Sequence, residues 1–125
     1  MDNKIKKVMV ADDDPAMLDA MRMMLEFEGY EVSTSADCAS ILKMEAVLPD
    51  LVLLDIRLSG IDGRDICRRL KQHEKTNKIP VVLVSASKDI EHSAREAGAD
   101  DFIAKPFEMN ELLQKIEKIF VCRAT

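Results

Sequence analysis

Apolar and polar positions along this chain follow two periods that take turns. Val8-Met9-Val10-Ala11, Leu51-Val52-Leu53-Leu54 and Val81-Val82-Leu83-Val84 are continuous apolar runs. They lack the alternation of a half-exposed strand, so each predicts a strand buried on both faces, as in a parallel sheet. Between them, apolar residues recur at helical spacing. Met17, Leu18, Met21, Met24 and Leu25 mark a first helix, capped by Asp14, with Pro15 in its first turn and Gly29 as its stop. The methionines read as core filler. Tyr30, Val32 and Thr34 alternate as a short strand nearer the sheet edge. Asp37 opens a second helix with Ile41, Leu42 and Met44 facing inward, and Pro49 follows its end.

Gly60 and Gly63 then bracket a tight turn into a helix carrying Ile66, Cys67 and Leu70, broken at Ile79-Pro80. A short helix spans Ile90 to Ala97 and stops at Gly98. Residues Asp101 to Ala104 form the last strand, ending at Lys105-Pro106. The final amphipathic helix carries Leu112, Leu113, Ile116, Ile119 and Phe120. The five strands, the first over Ile5 to Ala11, alternate with five helices. That pattern predicts an α/β fold: a doubly wound five-stranded parallel sheet with helices on both faces. Periodicity does not give strand order. Right-handed crossovers favour the common flavodoxin-like order 2-1-3-4-5, in which strands 1 and 3 flank the switch point.

At 125 residues the chain fits one domain, expected over residues 1–125 with a core of about 5–121 and a short tail. With 47% hydrophobic and 33% charged residues, it has a globular composition. A net charge of -5 argues against direct nucleic-acid binding. The apolar run at the N-terminus stops at Asp12-Asp13-Asp14, too short for a signal peptide or a membrane span. Cys38, Cys67 and Cys122 lack CxxC spacing and read as reduced thiols of a cytoplasmic protein. His73 and His92 belong to no metal motif and are expected on exposed helix faces.

Under the expected topology, residues following each strand share one sheet edge, where open α/β sheets place ligands. Strand 1 delivers Asp12 and Asp13, strand 3 Asp55, strand 4 Ser85 and strand 5 Lys105. Taken singly, Asp55 reads as a turn former or helix cap, and Asp12-Asp13-Asp14 as a solvated acidic loop. Together they describe a site. Converging carboxylates raise one another's pKa values unless a cation joins them. A hard dication with oxygen ligands answers that, and Mg2+ suits a site of few carboxylates and several waters. Lys105 adds a point charge beside the cluster.

These residues resemble the receiver domain of two-component response regulators, over nearly the whole chain. The resemblance rests on Asp12-Asp13, Asp55, Ser85-Ala86 and Lys105-Pro106 at their strand ends, with Gly98-Ala99-Asp100-Asp101-Phe102 and Lys105-Pro106-Phe107 as local phrases. It implies a phospho-accepting signalling module, not a conventional enzyme. Asp55 would take a phosphoryl group from the histidine of a sensor kinase or a phosphotransfer protein. Asp13, Asp55 and the backbone carbonyl of Arg57 would bind Mg2+, with Mn2+ as a substitute, and Asp12 would act mainly through water. Lys105 would meet a phosphoryl oxygen, and Lys105-Pro106 would be cis. Ser85 would turn toward the new phosphate and make room for Phe102, which otherwise reads as a core aromatic. Arg57 and Ser87 are candidates for tuning phosphoryl lifetime; a solvated Arg57 is the plain alternative.

Ser85 and Phe102 stand where the family commonly has threonine and often tyrosine, and the chain between them is about two residues shorter than usual. A short or shifted helix from Ile90 to Ala97 is therefore expected, with a partner surface to match. Two other classes compete. A flavin carrier needs a neutral, glycine-rich phosphate loop where this chain has Asp12-Asp13-Asp14-Pro15, and it gains no tryptophan for stacking. A phosphohydrolase needs an acid where Arg57 stands. Output would pass to a protein target, or to an output domain attached in a longer regulator or hybrid kinase; the sequence leaves both open.

Overall fold

The computed structural model describes residues 5–35, 48–58 and 60–123. Strands β1 (Lys7–Ala11), β2 (Glu31–Ser35), β3 (Leu51–Asp55), β4 (Val81–Ser85) and β5 (Asp101–Ala104) form one parallel sheet. Its order is β2-β1-β3-β4-β5, the flavodoxin-like arrangement expected from the alternating pattern. Helices α1 (Pro15–Phe27), α2 (Gly63–Gln72), α3 (Ile90–Ala97) and α4 (Met109–Arg123) cover its two faces. The helix expected from Asp37 onward, with Ile41, Leu42 and Met44, lies outside the described residues, as does Cys38.

Every residue of β3 and β4 is buried, which explains why their apolar runs do not alternate. Successive side chains pass to opposite faces. Val52, Leu54 and Leu83 pack with Ile66, Leu70 and Ala94 beneath α2 and α3. Leu51, Leu53 and Val82 pack with Met21, Leu25, Leu112 and Ile116 beneath α1 and α4. Each fully buried leucine contributes about 1.5–3 kcal/mol, so the central strands anchor the sheet.

The differences from expectation are local. Ile5 is exposed and β1 begins at Lys7, one turn of pleat later than the apolar pattern suggested. At the edge strand β2 only Val32 is buried, and Thr34 faces solvent. The turn between β3 and α2 is a small antiparallel ribbon, Arg57–Leu58 against Ile61–Asp62, with Gly60 at φ 76°. Asp14 caps α1 through the Ala16 N–H at 3.0 Å, as predicted, and α3 ends in Gly98 at φ 79°. His73 and His92 are both exposed. Cys67 is buried and Cys122 exposed.

Candidate functional site at the C-terminal sheet edge

Four segments deliver polar side chains to the C-terminal ends of the strands. Asp12 follows β1 directly and is 2% exposed; Asp55 closes β3 and is 6% exposed; Ser85 closes β4 and is 8% exposed. Lys105 follows β5 across the Ser85 carbonyl, which accepts its backbone N–H at 2.9 Å. Its peptide bond to Pro106 is cis. Parallel pairing of β1, β3, β4 and β5 brings these ends to one edge.

The Lys105 ammonium lies between the two buried acids, donating to Asp55 Oδ2 at 2.5 Å and to Asp12 Oδ2 at 3.2 Å. The second oxygen of each carboxylate is held by main chain. Arg57 N–H donates to Asp55 Oδ1 at 2.9 Å, and Asp14 N–H donates to Asp12 Oδ1 at 3.0 Å. Burial raises the pKa of Asp12 above the ordinary aspartate value, and the Asp55 charge adds to the rise, against the Asp14 N–H and the lysine. Burial pulls the Lys105 amine down, but its bonds and charges with Asp55 and Asp12 outweigh that and leave it raised.

A cavity of about 460 Å3 opens over this cluster, lined by Asp12, Asp13, Asp14, Asp55, Arg57, Ser85, Ala86, Ser87 and Lys105. Asp13 is exposed at its rim. Among the described residues no three His, Cys, Asp or Glu side chains are drawn together closely enough to form a metal-binding group. The donor chemistry nevertheless fits a hard cation. Two buried carboxylates share one positive charge, a third carboxylate stands at the rim, and the open cavity has room for water. Mg2+ suits such a set because it takes one or two carboxylates and keeps waters. Four aspartates around the cavity offer no cradle for the phosphate of a flavin.

Ser85 Oγ accepts the Ser87 N–H at 3.0 Å, and Ser87 Oγ bonds Asp89 Oδ1. Phe102 pairs opposite Leu83 and Ala104 opposite Ser85, so Phe102 and Ser85 share a sheet face. Phe102 is half-buried against that face's core, with Lys115 Nζ 5.5 Å from its ring centroid. The Asp62–Arg64 pair, at 2.7 Å, was not singled out from sequence. It lines a second cavity that Asp13 and Arg57 also border. Its hydrogen bond to Arg64 lowers the pKa of Asp62. The only sequence signal was an acid and an arginine two apart at a helix start, which is common.

A family model of the response regulator receiver domain matches residues 8–117. The chain is 34% identical over 116 residues to the DNA-binding dual master transcriptional regulator RpaA of Synechocystis sp., covering 90% of this chain and 48% of that protein. It is similar in structure to a CheY-like response regulator receiver domain protein from Methanospirillum hungatei JF-1, with TM-score 0.80, 33% identity, and 92% and 93% of the two chains covered. It is also similar to the receiver domain of a sensor histidine kinase from Pseudomonas aeruginosa PAO1. That match has TM-score 0.81, 25% identity and 92% and 97% coverage, and the relative has a magnesium ion coordinated in its active-site cleft. The chain spans about half the length of the regulators RpaA and PhoB that it matches.

Proposed function

The chain belongs to the response regulator receiver domain family, and from that premise we propose that it accepts a phosphoryl group on Asp55 from a histidine of a sensor kinase or phosphotransfer protein. One observation carries the reading: Asp55, Asp12 and Lys105 meet at hydrogen-bond distance beneath an open acidic cavity. A carboxylate oxygen of Asp55 forms the new P–O bond as the donor's P–N bond breaks, and the imidazole nitrogen leaves with the electron pair. Asp13, Asp55 and the Arg57 carbonyl would hold Mg2+, or Mn2+ in its place, with Asp12 acting through water. The ion supplies charge neutralisation for the transferring phosphoryl group. Lys105 exchanges its contact with Asp55 Oδ2 for a phosphoryl oxygen. The domain acts on itself and turns over no separate substrate.

Phosphorylation adds roughly -1.5 to -2 charges at the cavity. The Ser85 hydroxyl turns toward the new oxygens, and Phe102, on the same sheet face, moves into the space released. Arg57 and Ser87, both lining the cavity, tune how long the phosphoryl group survives; Arg57→Met should change the dephosphorylation rate, and an unchanged rate would remove Arg57 from that role. The state of the site passes to a protein target or to an output domain in a longer chain. The setting is cytoplasmic; among the described residues no helix is long and apolar enough to cross a membrane. The test is incubation with acetyl phosphate and Mg2+, read by intact mass. Wild type should gain a phosphate-sized adduct that EDTA prevents. An adduct that persists in Asp55→Ala would reassign the acceptor.

A further inference from the structure

The chain has four glycines, and three of them, Gly29, Gly60 and Gly98, adopt positive φ. Gly63 does not, so its backbone conformation is open to any residue. What it lacks is room. A Cβ at position 63 would stand 2.2 Å from the Asp55 carbonyl oxygen, 2.9 Å from Ile56 Cα and 3.0 Å from the Asp55 carbonyl carbon. All three are backbone atoms and cannot rotate aside. At Gly29 and Gly60 nothing lies within 4 Å of the same position.

We infer that Gly63 is a positioning residue for the reaction at Asp55: its missing side chain lets the first residue of α2 rest on the Asp55–Ile56 peptide and fix where the acceptor carboxylate stands. The inference rests on reading Asp55 as the acceptor. Gly63 N–H donates to the Ile56 carbonyl at 2.7 Å, and Ile56 N–H donates to the Val84 carbonyl at 3.1 Å. The next N–H, of Arg57, holds Asp55 Oδ1 at 2.9 Å. Gly63 thus packs on the Asp55–Ile56 peptide, which is tied to β4, and bonds the following Ile56–Arg57 peptide, which is tied to the reacting carboxylate. Asp62 keeps the helix end in place by accepting the Arg64 N–H at 2.9 Å. A methyl at 63 must displace either the start of α2 or the end of β3. The end of β3 carries the acceptor and leads, two residues on, to the Arg57 carbonyl. Misplacing a reacting group by about 1 Å can cost on the order of 100-fold in rate.

The test compares Gly63→Ala with Gly29→Ala, whose positive φ of 96° makes it a strained control remote from the site. Adduct formation from acetyl phosphate is followed by intact mass across a range of donor and Mg2+ concentrations, with thermal melting of each variant. The limiting rate of Gly63→Ala should fall at least about tenfold, while Gly29→Ala keeps the wild-type rate despite its lower melting point. A wild-type limiting rate in Gly63→Ala overturns the inference, as do losses in the two variants that simply follow their melting points. If Gly63→Ala does not fold, Asp62→Ala loosens the same helix end without adding atoms. It should lower the limiting rate severalfold well below its melting point, and an unchanged rate overturns the inference. An adduct that survives in Asp55→Ala overturns the acceptor reading and this inference with it. An adduct lost in Asp55→Ala beside an unimpaired Gly63→Ala overturns this inference alone.

Discussion

The two edges of the sheet each carry an aspartate–lysine contact, and they are built to different ends. At the N-terminal edge Lys71 Nζ meets Asp100 Oδ2 at 2.6 Å and donates to the Ile79 carbonyl at 2.8 Å. Asp100 Oδ2 also accepts the Val81 N–H at 2.8 Å. One acid faces one base, and main chain takes up the remaining bonds, so α2, β4 and β5 are tied with no charge left over. At the C-terminal edge a single lysine faces two buried acids, a third acid stands at the rim, and an open cavity lies above. The first arrangement is complete in itself. The second holds excess negative charge, and that surplus is what a cation and a phosphoryl group can use.

Substitutions at the two edges should therefore diverge. Lys105→Met should slow phosphorylation from acetyl phosphate about 100-fold while leaving a folded domain by circular dichroism; a wild-type rate would make Lys105 merely structural. At the other edge Asp100→Ala should cost about 2 kcal/mol in urea unfolding and leave the phosphorylation rate of the folded protein unchanged. Asp12→Asn should do the reverse of Asp100→Ala. Burial holds the Asp12 carboxyl above its ordinary pKa, so its charged form is disfavoured in the fold. The neutral isostere should then gain about 1 kcal/mol in metal-free buffer, and a loss of stability there would erase the contrast between the edges.

The smallest effect at neutral pH belongs to Cys67, buried in α2 with its thiol 3.4 Å from the Ala97 carbonyl. Burial pushes this thiol up from 9.0 to about 11. The unfolded chain loses that proton first, so the contribution is intact below pH 9 and fades as pH rises toward 11. Urea unfolding of wild type should show a fall across this window that Cys67→Ala lacks. Equal slopes in the two proteins would contradict the burial argument.

Much of this was legible in residue order. Unbroken apolar runs at Leu51 and Val81 placed the central strands, and Asp12, Asp55, Ser85 and Lys105 were assigned to one edge because each follows a strand. Parallel pairing made that inference geometric. Contacts that depend on three dimensions were not legible. Nothing in the local pattern placed Lys105 between Asp12 and Asp55, since those residues are 93 and 50 positions away. The ribbon at Arg57–Leu58 and Ile61–Asp62 is too short to show alternation, and the crowding at Gly63 belongs to a neighbour eight residues earlier in the chain. The Lys71–Asp100 contact was missed for the same reason: an acid and a lysine on separate elements give no signal until the sheet assembles.

On the proposed function, surplus acid at one edge places phosphorus on one particular carboxylate. Borohydride reduction of the phosphorylated protein, followed by peptide mass mapping, tests it at residue level, because an acyl phosphate is reduced to an alcohol. Homoserine is expected at position 55, with intact aspartate at positions 12 and 13. Homoserine at 12 or 13, or no reduced residue in a protein carrying phosphate, would contradict it.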